Sequence, residues 1–141
     1  MIAYFDTSAL LKLVIAEAGA EQARLLWEQS SEIVVSRLAW TEAMAALAAA
    51  RRGRRLTDQD YATAIEVFRE CFARCTVASV ADHLVEQAAE LAADYDLRAA
   101  DAIHLATALA VMEPDSVFVT WDKRLQQAAI QAGLVTAPAR S

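Results

Sequence analysis

Apolar positions along this chain alternate between short unbroken runs and stretches spaced three or four apart. Ile2-Ala3-Tyr4-Phe5 is apolar throughout, as in a parallel strand covered on both faces. It ends on Asp6. Leu10, Leu11, Leu13 and Val14 then build a helix that Thr7 and Ser8 are placed to cap. After a break at 17–20, Ala23, Leu26 and Trp27 mark a second helix over residues 20–30. Ile33-Val34-Val35 is a β-branched strand, and Ser36 caps a long helix reaching about Ala50 and ended by Gly53. Thr57 caps the helix of Ile65, Phe68 and Phe72, and Thr76-Val77-Ala78 reads as a weak third strand. Leu84, Val85, Ala88 and Leu91 share one face of a helix over 80–94. Asp96 is placed to cap another from Arg98 to about Met112, stopped by Pro114. Val117-Phe118-Val119 is a fourth strand. A helix then runs from Asp122 to about Ala132, and Leu134-Val135-Thr136 forms a small last strand before a fraying tail. This order specifies an α/β fold: a parallel β-sheet of four to five strands flanked by helices on both faces, in one domain over 1–141.

Four acids occupy related places in that order. Asp6 closes the first strand, Glu42 lies in the second turn of the helix after the second strand, and Asp122 follows the fourth strand. These positions share one rim of a parallel sheet, where open α/β folds bind ligands. Asp101 joins them only if its helix starts at the same rim. Each acid has an ordinary explanation as well. Asp6 and Asp122 suit helix caps, and Glu42 suits a solvated helix face. Asp101, among Ala99, Ala100, Ala102 and Ile103, fits a surface less well. Gathered carboxylates repel unless a cation neutralises them, and hard oxygen ligands suit Mg²⁺ or Mn²⁺.

Charge bears on this reading. The net charge is −6, with 13 basic and 19 acidic residues, which is not the footprint of a nucleic-acid binder. Setting the four candidates aside leaves 15 acids against 13 bases, so a bound cation would weaken the objection. No Ser-His-Asp or Cys-His order is evident, and three glycines give no phosphate loop. Cys71 and Cys75, four apart in a helical stretch, read as buried free thiols. The apolar N-terminus lacks a basic leader and is interrupted by Asp6, Lys12 and Glu17. With no run of transmembrane length, the expectation is a cytoplasmic protein with no membrane association.

Three segments carry a family resemblance. Phe5-Asp6-Thr7-Ser8-Ala9-Leu10-Leu11-Lys12, Arg98-Ala99-Ala100-Asp101-Ala102-Ile103-His104-Leu105-Ala106 and Phe118-Val119-Thr120-Trp121-Asp122-Lys123-Arg124-Leu125 stand in the order found in PIN-domain ribonucleases. More narrowly, the chain resembles the VapC-type toxins of bacterial toxin–antitoxin pairs over nearly its whole length. The resemblance implies a PIN-like sheet and Mg²⁺- or Mn²⁺-dependent RNA cleavage by metal-activated water, leaving 5′-phosphate and 3′-hydroxyl ends. It carries Asp6, Glu42, Asp101 and Asp122 over as metal-binding and catalytic acids. It also implies a homodimer and a VapB-type antitoxin lying in a groove and sending a basic side chain into the acidic site.

Supporting residues follow from position. Thr120 is placed to orient Asp122 or a metal-bound water, and Ser8 to hydrogen-bond Asp6. Arg98, Lys123 and Arg124 stand near the rim as candidates for RNA phosphates. Arg51, Arg52, Arg54 and Arg55 form the one dense basic run, which equally suits a solvated helix end. His104, three residues after Asp101, is a general-base candidate or a hydrogen-bonded structural histidine. Helices on either side of Gly19 leave room for a partner helix, and the small residues of 43–50 permit close helix approach. Two other classes remain. Aspartyl-phosphate chemistry would want a second Asp two positions after Asp6, where Ser8 stands. A non-catalytic PIN-fold binding module would not need the acids.

Overall fold

The computed structural model describes residues 1–139; Arg140 and Ser141, at the end of the tail expected to fray, lie outside the described residues. In chain order the elements are β1 (Ile2–Phe5), α1 (Thr7–Lys12), α2 (Ala20–Gln29), β2 (Glu32–Ser36), α3 (Leu38–Arg52), α4 (Asp58–Ala73), β3 (Thr76–Ala78), α5 (Asp82–Tyr95), α6 (Ala99–Val111), β4 (Val117–Val119), α7 (Lys123–Gln131) and β5 (Thr136–Ala137). The strands form one sheet in the order β3-β2-β1-β4-β5, and every pairing is parallel. The chain winds outward from β1 through β2 to β3, then returns to place β4 on the other side of β1. The order therefore reverses between β1 and β4, the place where sheets of this kind open a crevice at their carboxyl ends.

Strand periodicity divides the core in two. Ala3 and Phe5, Ile33 and Val35, Val117 and Val119 point to one face, where they pack on Leu10, Leu47, Phe68 and Phe72 of α1, α3 and α4. Tyr4, Val34 and Phe118 point to the other, against Leu84, Leu105 and Leu125 of α5, α6 and α7. Both faces being covered explains the unbroken apolar runs in β1, β2 and β4. Of the small residues of α3, Ala39 and Ala43 belong to this packing, beside Leu47, whereas Ala45 is exposed.

Several element ends differ from the sequence reading. Asp6, not Thr7 or Ser8, caps α1, its carboxylate accepting from the Ala9 N–H. Three adjacent residues could each have capped, and the carboxylate in extended backbone has the reach. Asp96 does not cap α6. It ends α5 in the left-handed region at φ 53°, and Arg98 occupies the α6 cap position without a side-chain capping bond to the helix. Arg37 takes the cap position of α3, although the Ser36 hydroxyl, one residue earlier, accepts from the Leu38 N–H at 3.1 Å. The last strand begins two residues later than expected, where Thr136 and Ala137 pair with Phe118 and Val119.

Gly19 lies close to the functional rim. It sits at φ 93°, and a Cβ there would lie 2.6 Å from Nε1 of Trp121, the neighbour of Asp122. Gly19→Ala therefore combines left-handed strain with a clash against a ring. We expect a loss of about 1–3 kcal/mol, read as a lowered denaturation midpoint with altered Trp fluorescence. An unchanged midpoint would contradict the close approach.

Candidate active site

The site is built where the β1–α1 and β4–α7 turns meet. Asp6 extends the β1–β4 pairing, its N–H donating to the Val119 carbonyl at 3.2 Å. That pairing holds its side chain at the switch point, only 4% exposed. Oδ1 accepts from the Ser8 hydroxyl at 2.7 Å and the Ala9 N–H at 2.9 Å, while Oδ2 accepts from the Thr120 hydroxyl at 2.6 Å. Burial still drives the Asp6 carboxyl above its ordinary range, against the opposing pull of His104 and of these three donors. The same hydroxyls tie the second turn in. Ser8 Oγ accepts from the Trp121 N–H at 2.9 Å, and Thr120 Oγ1 accepts from the Asp122 N–H at 3.0 Å. Thr120 thus holds the backbone of Asp122 and the carboxylate of Asp6 together.

Asp122 caps α7 through Oδ1, which accepts from the Leu125 N–H at 2.9 Å. Its Oδ2 lies 3.7 Å from Nη2 of Arg98, whose Nε lies 3.5 Å from Oδ2 of Asp101. Helix α6 therefore starts at the rim, and Asp101 joins the other acids. The Asp101 carboxyl is raised by burial and then by the Asp122 and Glu42 charges, with Arg98 and His104 pulling it down. Glu42 behaves in the opposite way. Half-burial pushes its carboxyl up, but hydrogen bonds from His104 and Thr7 outweigh that and leave it lowered. Those bonds run from the Thr7 hydroxyl at 2.7 Å and His104 Nε2 at 2.6 Å, both to Oε1.

Four separated parts of the chain thus bring their acids to one rim, and each capping role coexists with membership of the cluster. Thr7 and Tyr4 are the participants that sequence reasoning missed. A phenol inside an apolar strand signals a buried hydrogen bond, but nothing local names its partner. The basic candidates divide. Arg98, Lys123 and Arg124 are exposed beside α6 and α7 starts at the rim, with Arg124 also 3.7 Å from Asp96. The Arg51–Arg55 run starts at the far end of α3, nine residues or about 14 Å along the helix from Glu42. There Arg51 pairs with Asp58 at 2.9 Å and covers the Tyr61 ring.

The donors at the rim are hard oxygens: four carboxylates and the Ser8 and Thr120 hydroxyls. The nearby imidazole is occupied by Glu42 and Tyr4. Among the described residues, no three His, Cys, Asp or Glu side chains are grouped closely enough that they could hold an ion. Mg²⁺ commonly takes a few carboxylates and keeps several waters. The donor set fits such an ion by its chemistry, with water or phosphate completing the coordination.

Comparison with known proteins now bears on this rim. The family model described as the PIN domain matches residues 3–131. The chain belongs to the PIN-domain family. Two relatives, the ribonucleases VapC45 and VapC49 of Mycobacterium tuberculosis, are each 40% identical to this PIN domain over 139 residues, covering 99% of this chain and 96% of theirs. A solved toxin–antitoxin complex from Klebsiella pneumoniae includes a chain 25% identical to it, with TM-score 0.59 over 85% of this chain and 86% of that one. The VapC20 toxin of Mycobacterium tuberculosis, described as cleaving the sarcin-ricin loop, shares the fold at TM-score 0.70 and 21% identity, over 94% of this chain and 96% of its own. The PIN domain is thus of the VapC ribonuclease type, and the aspartyl-phosphate alternatives fall away.

Proposed function

We propose that this PIN domain is a metal-dependent endoribonuclease and the toxin of a VapBC-type toxin–antitoxin pair. The observation that carries the reading is the meeting of Asp6, Glu42, Asp101 and Asp122 at the switch point of a VapC-type fold. Asp6 is held by three donors, which orient its carboxylate and keep it ready to bind a cation. Glu42 is held from the other side by Thr7 and His104. Asp101 and Asp122 face each other across Arg98. A bound Mg²⁺ or Mn²⁺ would supply charge stabilisation at phosphorus and an activated water. Hydrolysis forms one bond from water oxygen to phosphorus and breaks the bond to the 3′ oxygen, leaving 5′-phosphate and 3′-hydroxyl ends. Arg98, Lys123 and Arg124 are the side chains beside the rim that would receive RNA phosphates.

The partner is a VapB-type antitoxin. A groove of about 310 Å³ lies at the connection from α1 to α2, lined by Lys12, Leu13, Val14, Ile15, Ala16, Ala20 and Arg24, and would receive part of its helix. A homodimer is the expected assembly. Among the described residues no helix is long and apolar enough to cross a membrane, and we place the activity in the cytoplasm. The test is cleavage of end-labelled RNA by purified protein with Mg²⁺, with Mn²⁺ and with chelator. We expect cleavage with either metal, its loss on chelation, and lower RNA affinity when Arg98, Lys123 and Arg124 are replaced by Ala. Undiminished cutting in chelator would reject the metal-dependent mechanism.

A further inference from the structure

His104 has a precise place in the fold that the acid cluster alone does not require. It is 2% exposed and lies on α6 three residues after Asp101. Its two ring nitrogens reach two different elements. Nδ1 is 2.8 Å from the Tyr4 hydroxyl of β1, and Nε2 is 2.6 Å from Oε1 of Glu42 on α3. Thr7 of α1 donates to the same Oε1 at 2.7 Å and stands 3.2 Å from Nε2. An ionised carboxylate only accepts, so Nε2 carries a proton. Whenever the ring is neutral, Nδ1 is its acceptor and takes the Tyr4 proton. The Tyr4 ring is fixed too, stacked on Phe118 with centroids 5.3 Å apart and 3° between planes.

We propose that Tyr4 and His104 form a positioning relay for Glu42: the phenol fixes the Nε2–H tautomer, and that N–H, with Thr7, fixes Oε1 and so holds the Glu42 carboxylate in one orientation at the rim. The relay deepens the metal-dependent reading above and rests on it. His104 is then a positioning residue and not a general base, since its nitrogens are both engaged and its ring is closed off from substrate. Partners one step behind a metal-binding group commonly matter by about 10–100-fold in metal affinity or activity.

Three variants of the full chain test this. A Gln amide at position 104 reaches about as far as Nε2 and still donates to Glu42, whereas an Asn amide stops near Nδ1. Free Mn²⁺ measured by electron paramagnetic resonance, without RNA, gives the affinity. We expect His104→Asn to weaken Mn²⁺ binding by about 10–100-fold, His104→Gln to recover most of that loss, and Tyr4→Phe to fall between. Ring ¹⁵N spectra of the parent should show a single Nε2–H tautomer that becomes mixed in Tyr4→Phe. Parental Mn²⁺ affinity in His104→Asn, equal losses in the Asn and Gln variants, or an Nδ1–H tautomer in the parent would each overturn the relay. If His104→Asn does not fold, the Gln variant, Tyr4→Phe and the parent spectrum still decide. Asp6→Asn serves as the control: if it cuts RNA like the parent, the nuclease reading falls and takes the relay with it. If Asp6→Asn is inactive while the position-104 and Tyr4 variants bind Mn²⁺ normally, the relay alone is lost.

Discussion

Asp6→Asn is expected to lower RNA cleavage by about 10²–10³-fold or more while making the metal-free protein more resistant to heat. The two effects share one cause. The carboxylate is buried beneath the switch point and is held above its ordinary range by desolvation. A bound cation would offset that cost, and without one the fold bears it. Asparagine removes the charge and keeps much of the hydrogen bonding. Its Oδ1 still accepts from Ala9 and Ser8, and its amide can donate to Thr120 Oγ1, which has a lone pair beyond the one taken by the Asp122 N–H. The pH dependence follows from the direction of the shift. A carboxyl raised by folding contributes stability that is present below its unfolded value, about 3.9, and lost as pH rises through the folded one. In chelator the variant should therefore melt above the parent near neutral pH. The gap should close as pH falls toward the ordinary carboxylate range. Thermal melts across that window, beside cleavage assays with Mn²⁺, check both halves. A variant that cuts RNA at the parent's rate would remove Asp6 from the mechanism and favour a PIN-fold binding module. A variant less stable than the parent at neutral pH would mean that the lost carboxylate bonding outweighs the relief of burial.

Thr120→Val should be the most damaging substitution of an uncharged side chain at the rim. Its hydroxyl donates to Asp6 Oδ2 at 2.6 Å and accepts from the Asp122 N–H at 3.0 Å, in a fully buried position. Valine fills the same volume, so no cavity enters the comparison. What is lost is a bond to a buried charge together with the acceptor for a backbone N–H. We expect a cost of about 2–3 kcal/mol and a fall in cleavage of about 10–100-fold, because Asp6 and Asp122 lose their common link. The Thr120 bond favours the ionised form of Asp6, so its removal should hurt most where Asp6 is charged and least where it is protonated. Combining Thr120→Val with Asp6→Asn should then cost less than the sum of the separate changes. Denaturant midpoints of the four proteins supply the test. Strict additivity would show that Thr120 acts on the fold independently of Asp6.

The strands were readable because a doubly covered strand must be apolar on both faces: Ile2–Phe5, Ile33–Val35 and Val117–Val119 have few other uses in a chain of this size. Helix caps were harder. Around Asp6-Thr7-Ser8 three side chains compete for the same N–H groups, and the winner depends on where the losers find other partners. Thr7 found Glu42, and Ser8 found Asp6 and the Trp121 N–H. Asp96 was misplaced for a related reason. A short polar side chain that suits the start of one helix also tolerates the left-handed turn that ends another, and here it ends α5.

By itself, the sequence determined the alternation of strands and helices, the two-faced core, the four acids and, through its motif segments, the family. These rest on periodicity and on residue types within a few positions of one another, which a linear chain displays directly. Tertiary structure decided the rest. The return of β4 to the side of β1 joined Thr120 to Asp6, the start of α6 brought Asp101 to Arg98 and Asp122, and the packing of α6 on β1 and α3 linked His104 to Tyr4 and Glu42. Those contacts join residues 114, 100 and 62 positions apart. A hydrogen bond depends on separation in space to within a few tenths of an ångström, and no local pattern carries that information.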